Sequence, residues 1–307
     1  MEDSGPMERS QHRSQVGAES RPGEDQIGLE AIMSRAGSEN FPVALRLLPS
    51  SIRGHLQAIY GYARLVDNLG DEYRGDRAQV LDWLEGQMDL LFAGAPDHPI
   101  FRRLSPAVET FGLSRTSFDR LLEANRMDQV KTRYSDWDDL MGYCKLSANP
   151  VGRLVLAVFE ADTPRRVAAS DSVCSGLQVL EHLQDIGEDA RAGRIYIPAS
   201  YMDRYSCTVE DLLAPEAGPD LRRMVASLAE RTVGLLEPGK PLVRSLSGWY
   251  RVAIGGYVAG GLAGLDALAA AKYEVLGGLR QAGRIRQIRR FLPLYVGGII
   301  KRERWEE

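Results

Sequence analysis

Four aspartates in two pairs are the residues best placed to do chemistry in this chain. Asp67 and Asp71, and then Asp185 and Asp189, each stand four residues apart. One helical turn separates such positions, so both carboxylates of a pair point the same way. Two pairs facing one cavity would make a cage of hard oxygen donors, a set that suits Mg²⁺ shared with a diphosphate. At about 100° per residue, Tyr60, Arg64, Asp67 and Asp71 fall on one narrow helix face, and Gln178, Glu181, Asp185 and Asp189 fall on another. The guanidinium of Arg64 offers phosphate oxygens a rigid fork of donors, and Arg194 and Arg53 are further candidates for that role. A solvated acidic face is the alternative reading of either pair. Against it, Tyr60 and Arg64 share the first face, and the second pair runs into Arg191-Ala192-Gly193-Arg194-Ile195-Tyr196-Ile197-Pro198.

The elements that must carry these pairs read as helices almost throughout, from about Leu29 to Ala271. Apolar residues recur at helical spacing in Leu56, Ile59, Ala63 and Val66, in Val80, Leu81, Leu84, Met88 and Leu91, and in Leu154, Val155 and Val158. Behind the second acidic face, Val173, Leu177, Leu180 and Leu183 form the opposite, apolar one. Pro42, Pro49, Pro96, Pro99, Pro106, Pro150, Pro164 and Pro198 punctuate these runs and predict helix starts and stops. No alternating run is long enough for a sheet, and no internal repeat is visible. The expected fold class is all-α.

At these same residues the chain resembles a known family. Ile59-Tyr60-Gly61-Tyr62-Ala63-Arg64-Leu65-Val66-Asp67-Asn68-Leu69-Gly70-Asp71 is similar to the first aspartate-rich motif of the squalene and phytoene synthases, and Leu177-Gln178 through Asp189, ending in Gly193-Arg194-Ile195-Tyr196-Ile197-Pro198, to the second. Glu39-Asn40-Phe41-Pro42-Val43-Ala44 and Tyr143-Cys144-Lys145-Leu146-Ser147-Ala148-Asn149-Pro150-Val151-Gly152-Arg153 resemble the bacterial branch that forms hydroxysqualene. The likeness extends over roughly residues 30 to 275.

The resemblance implies a single all-helical isoprenoid-synthase bundle around a central cavity. It also implies a Mg²⁺-dependent reaction on presqualene diphosphate. Ionisation would give a cyclopropylcarbinyl cation, and water would capture its rearranged form as hydroxysqualene, with pyrophosphate released and no NADPH consumed. Asn40, Phe41 and Gln178 would then contact substrate. The rings of Phe41, Tyr60, Tyr143 and Tyr257 would face the cation, each such contact contributing about 0.5–2 kcal/mol. The synthase that makes presqualene diphosphate is the macromolecular partner implied. Head-to-head condensation of two prenyl diphosphates to presqualene diphosphate, squalene or phytoene is the alternative reaction, and a non-catalytic helical scaffold the alternative class.

This chain departs from the broader family pattern at three places. Asn68 stands where many members have a second adjacent aspartate. Glu181 and Gln184 stand where the broader family often shows Asn and Arg. Without that arginine, diphosphate binding falls to other groups. Glu181, with Asn149, becomes the candidate for orienting the quenching water in an otherwise dry cavity. An additional carboxylate near the metal, or a partner for an arginine, is the other reading of Glu181.

Composition agrees with one large soluble domain. The chain has 307 residues, 44% of them hydrophobic, and a net charge of −4. That balance argues against nucleic acid as the main partner. Cys144, Cys174 and Cys207 are scattered without metal-ligand spacing, as expected of reduced thiols in a cytoplasmic protein. Residues 1–27 are polar, without periodic apolar positions and without the apolar core of a signal peptide, and are expected to be disordered. Residues 28–279 form the expected catalytic domain and 280–307 a basic segment. The small residues of Gly255-Gly256-Tyr257-Val258-Ala259-Gly260-Gly261 predict close approach of two helices rather than nucleotide binding. Eight Lys or Arg residues and one acid lie between Arg280 and Arg304, interleaved with apolar residues. Either this segment makes peripheral contact with an anionic membrane surface, or it docks on the body with a solvated basic face.

Overall fold

The computed structural model describes residues 48–277, 283–300 and 305. The expected disordered stretch 1–27 lies outside them, as do Asn40 and Phe41. Fourteen helices follow one another among the described residues, with no strand. They are α1 (Ser50–Asp71), α2 (Arg77–Phe92), α3 (Pro99–Phe111), α4 (Arg115–Asp128), α5 (Trp137–Ser147), α6 (Asn149–Val158) and α7 (Pro164–Gln184). Then come α8 (Ile186–Arg191), α9 (Ala199–Arg204), α10 (Val209–Leu212), α11 (Pro219–Leu236), α12 (Gly239–Ser245), α13 (Gly248–Ala270) and α14 (Arg284–Ile300). The all-α expectation holds.

Local chemistry sets the helix limits. Asp76 and Asp136 cap α2 and α5 by accepting from the backbone N–H three residues on. Pro99, Pro150, Pro164 and Pro219 open their helices, where a missing N–H costs nothing. Gly112, at φ 57°, ends α3 in the left-handed conformation. Pro106 departs from the expectation, because it lies inside α3. Its position is exposed, so water can satisfy what the ring leaves unbonded.

Two helix groups meet around the candidate site. In one, α1 packs against α2, α3 and α4, burying Leu56, Ile59, Leu65, Val66 and Leu69. In the other, α7 is surrounded by α6, α11, α12 and α13. Helices α5 and α6 join the groups through contacts with α4 and α7. The glycine stretch of α13 does bring two helices close. A Cβ on Gly261 would lie 2.6 Å from Leu177 Cδ2, and one on Gly264 2.7 Å from Leu180 Cδ2. Helix α13 is long and apolar enough to cross a membrane by length and composition, but 67% of that window is buried inside the protein. The three cysteines are free, and burial pushes the thiols of Cys144 and Cys174 up to about 12 and about 11.

Candidate functional site

The first aspartate pair lies on the last turns of α1, an unbroken helix. The second pair is not on one helix, as its spacing predicts. Helix α7 stops at Gln184, Asp185 takes φ −103° and ψ 13°, and α8 begins at Ile186. The Asp185 N–H still donates to Glu181 O (2.9 Å), and the Asp189 N–H to Asp185 O (2.8 Å). One turn therefore still separates the two carboxylates across the break.

Asp67 is open to solvent near the end of α1, yet the protein packed close by desolvates its carboxyl. Its carboxyl is pushed up to about 7, first by desolvation and further by the charges of Asp71 and Glu181. A hydrogen bond from Asn125 and the charge of Arg64 work the other way. The Asp185 carboxyl is pushed up to about 6, again by desolvation first, then by Glu181, Asp189 and Glu188, with His182 opposing. Glu181 thus lies near enough to acids of both motifs to repel them, which brings the ends of α1 and α7 into one charged neighbourhood.

Backbone bonds position the tail of the second motif. The N–H groups of Ile195, Ala199 and Ser200 donate to the carbonyls of Thr132, Tyr134 and Ser135 in the α4–α5 loop, at 2.9–3.0 Å. This stitching delivers Arg194 to the first motif, where its Nη1 lies 2.5 Å from Asp71 Oδ1. Arg194 Nε is buried with no hydrogen-bond partner among the described residues, so the side chain holds a donor in reserve beside the acids. The same tail brings Tyr196 onto His182, the rings stacked at 3.8 Å and 12°. His182 Nδ1 is 3.7 Å from Asp189 Oδ2, and its Nε2 is 3.3 Å from Gln178 Nε2.

Sequence reasoning missed the layer behind these groups. Asp128, at the end of α4, accepts from Tyr143 Oη (2.6 Å) and Tyr196 Oη (3.1 Å). Burial pushes its carboxyl up, and the two hydroxyls oppose that shift. Asn125 donates to Asp67 Oδ1 (3.4 Å), and Gln129 donates to Gly70 O (3.1 Å). The available signal was polar residues, Asn125 and Asp128, continuing the stripe begun by Phe118 and Leu121 on α4.

The candidates fall into three groups. Asp67, Asp71, Asp185, Asp189, Arg64, Glu181, Gln178 and Arg194 form one linked set of charges and hydrogen bonds, and Tyr60 is buried on the α1 face that leads to Asp67. Tyr143 packs against His182 and Tyr196 behind the second motif, whereas Tyr257 stands apart on α13. The Tyr143 hydroxyl is committed to Asp128, and Tyr257 lies half-buried near Cys174. Arg53 and Asn149 lie elsewhere. Arg53 turns its Nη2 back to Leu48 O (2.8 Å) at the start of α1, about 21 Å along the helix from Asp67. Asn149, on α6, is buried and accepts from Ser175 Oγ (2.9 Å), and it lines a cleft with Arg120, Lys145 and Arg153; Ser175 itself lies about 9 Å along α7 before Glu181.

The donor set fits Mg²⁺ bound jointly with a diphosphate. No three His, Cys, Asp or Glu side chains converge on one point among the described residues. Mg²⁺ is commonly held by one or two carboxylates plus substrate phosphates and water, which is what two separated pairs can supply. Crowding of like charges at Asp67, Asp185 and Glu181, and the reserve donor of Arg194, match a site completed by cations and phosphate oxygens.

The helical fold around facing acids is that of the isoprenoid synthases. A squalene synthase HpnC from Alicyclobacillus acidocaldarius superposes with a TM-score of 0.75 at 38% identity, covering 80% of this chain and 94% of that one. The squalene/phytoene synthase profile matches residues 34–290, and the chain belongs to that family. A hydroxysqualene synthase of Rhodopseudomonas palustris is 36% identical over 209 residues, 68% of this chain and 71% of its own length. A presqualene diphosphate synthase of the same organism is 30% identical over 197 residues, 63% of this chain and 70% of its own.

Proposed function

We propose that this chain is a hydroxysqualene synthase, converting presqualene diphosphate and water to hydroxysqualene and pyrophosphate on the way to squalene and hopanoids. The observation that carries the reading is the position of Glu181, an acid within repulsion of both Asp67 and Asp185. It places a proton acceptor beside the leaving group's cage. The likeness to proteins named hydroxysqualene synthase and squalene synthase HpnC points the same way.

The roles follow from the side chains. Asp67, Asp71, Asp185 and Asp189 would hold Mg²⁺, which when bound neutralises the departing diphosphate. Arg64 and Arg194 would grip phosphate oxygens through the fixed fork of their guanidinium groups. The C–O bond breaks with its electron pair leaving on the diphosphate. Tyr60 and the aromatic wall stabilise the cation through ring faces that do not attack it. Glu181 orients one water, whose oxygen forms the new C–O bond and whose proton passes to the carboxylate.

Incubation with purified presqualene diphosphate and Mg²⁺, without NADPH, tests this reading, with hydroxysqualene as the expected product. The likeness to a presqualene diphosphate synthase favours the second reading, head-to-head condensation. Farnesyl diphosphate alone separates the two, because a hydroxysqualene synthase leaves it unchanged.

A further inference from the structure

The C-terminal helix carries a surface that this reaction does not use. Helix α14 contains Arg284, Arg286, Arg289 and Arg290 and no acidic residue. Its inner side docks on α12 and α13: Leu294 is buried, Phe291 lies against Gly255, and Arg290 forms a two-pronged pair with Asp266. The outer side is unlike that of a merely solvated helix. Ile288, Leu292 and Val296 are 55%, 53% and 44% exposed. They stand one turn apart, so they make a continuous aliphatic ridge rather than scattered surface residues.

At the start of the same helix, Arg286, Arg289, Arg290 and Asp266 surround a notch of about 420 Å³. Three cations to one acid leave it positive, and Asp266 is already taken by Arg290. Neither Arg286 nor Arg289 has an acidic partner among the described residues. An aliphatic ridge alone would suit a second protein. A ridge continuing from an unneutralised arginine notch suits the boundary between acyl chains and anionic headgroups.

We propose that the outer face of α14 seats the protein on an anionic phospholipid bilayer, the arginine notch taking headgroup phosphates and the Ile288–Leu292–Val296 ridge entering the acyl boundary. The seat is independent of which isoprenoid diphosphate is consumed. Helices α12 and α13 each contact both α14 and the motif helix α7, so the seat lies one helix layer from the helix that carries Gln178 and Glu181.

Sedimentation of the full-length protein with vesicles tests it. The wild type should pellet with phosphatidylglycerol-containing vesicles and not with pure phosphatidylcholine, and high salt should release it. Arg286→Gln/Arg289→Gln should weaken binding by about fivefold per arginine, whereas Arg289→Lys should retain it. Leu292→Ser should also weaken it. All three variants should keep the wild-type thermal midpoint and turnover of detergent-dispersed substrate. A wild type that stays in the supernatant would overturn the proposal, as would an Arg286→Gln/Arg289→Gln or Leu292→Ser protein that pellets like the parent. So would a Leu292→Ser protein that changes oligomeric state with vesicle binding intact.

Discussion

Arg194 Nη1 and Asp71 Oδ1 lie 2.5 Å apart although 123 positions separate the residues. The pair joins the tail of the second acidic motif to the end of the first. Asp71 is well exposed and Arg194 less so, so the pair contributes only about 0–1 kcal/mol to stability. On the proposed reaction, its value lies in holding a guanidinium beside the acids that would bind the metal–diphosphate.

Arg194→Gln should therefore leave the thermal midpoint almost unchanged while lowering kcat/KM by about 10²-fold or more, the scale of losing one donor to developing charge. Arg194→Lys should recover only part, because a point charge cannot reproduce the fork. Steady-state kinetics beside differential scanning fluorimetry measures both. A variant that lost stability and activity in step would make the pair structural only.

Gly70 is required for a different reason. A Cβ there would lie 2.1 Å from Asn125 Oδ1, and Asn125 donates to Asp67. Gly70→Ala should force Asn125 aside, at about 1–3 kcal/mol, and weaken Mg²⁺-dependent stabilisation. Adding Asn125→Ala should relieve the clash and restore the midpoint without restoring activity. Thermal melts with and without Mg²⁺ separate the two effects.

The pH dependence has a definite sign. The ordinary carboxylate value is about 4, whereas Asp185 and Asp67 titrate near about 6 and about 7 in the folded protein. Between those limits the metal-free fold holds protons that the unfolded chain has released. Stability from these two groups is thus greatest at low pH and declines as pH rises through about 6 and then about 7. Mg²⁺ needs the deprotonated forms, so its stabilising shift should grow over the same window. Melts in EDTA and in Mg²⁺ from pH 5 to 8 would show the two curves diverging, and Asp67→Asn should flatten the EDTA curve. A Mg²⁺ shift independent of pH would contradict the assignment of these ligands.

Asp128 anchors the wall behind the second motif. Asp128→Ala leaves the buried hydroxyls of Tyr143 and Tyr196 without their acceptor, at about 1–3 kcal/mol each. Tyr143→Phe removes one donor and should cost less than the aspartate does. Denaturant unfolding of both variants measures the order, and equal losses would mean that Tyr196 contributes nothing.

The sequence disclosed those parts of the site that lie along one helix. Spacing alone places Tyr60, Arg64, Asp67 and Asp71 on one face, because α1 is unbroken, and the glycines of α13 announce its close approach to α7. Features that depend on contacts between distant segments stayed hidden. The break at Asp185 follows from α8 turning toward α10 rather than from any helix breaker in the sequence. Asp128 and Asn125 look like ordinary helix polar residues until the α4–α5 loop is stitched to the 195–200 segment. Arg53 and Asn149 show the opposite failure. Suitable residue types in family-like or helical context say nothing about distance, and the fold gives both of them local partners instead.

Glu181→Gln tests the chemistry most directly. The substitution keeps size and the contact with Gln178 but removes the proton acceptor and one of the charges that raise Asp67 and Asp185. Both aspartates should then titrate lower, so Mg²⁺ stabilisation near pH 6 should increase, not fall. If Glu181 takes the proton of the quenching water, hydroxysqualene formation should drop by about 10²–10⁴-fold while pyrophosphate release falls less. The uncaptured cation would then appear as eliminated or rearranged hydrocarbons. Product analysis by mass spectrometry with parallel pyrophosphate detection reads both branches. Hydroxysqualene as sole product at the parent rate would remove Glu181 from the water-capture step.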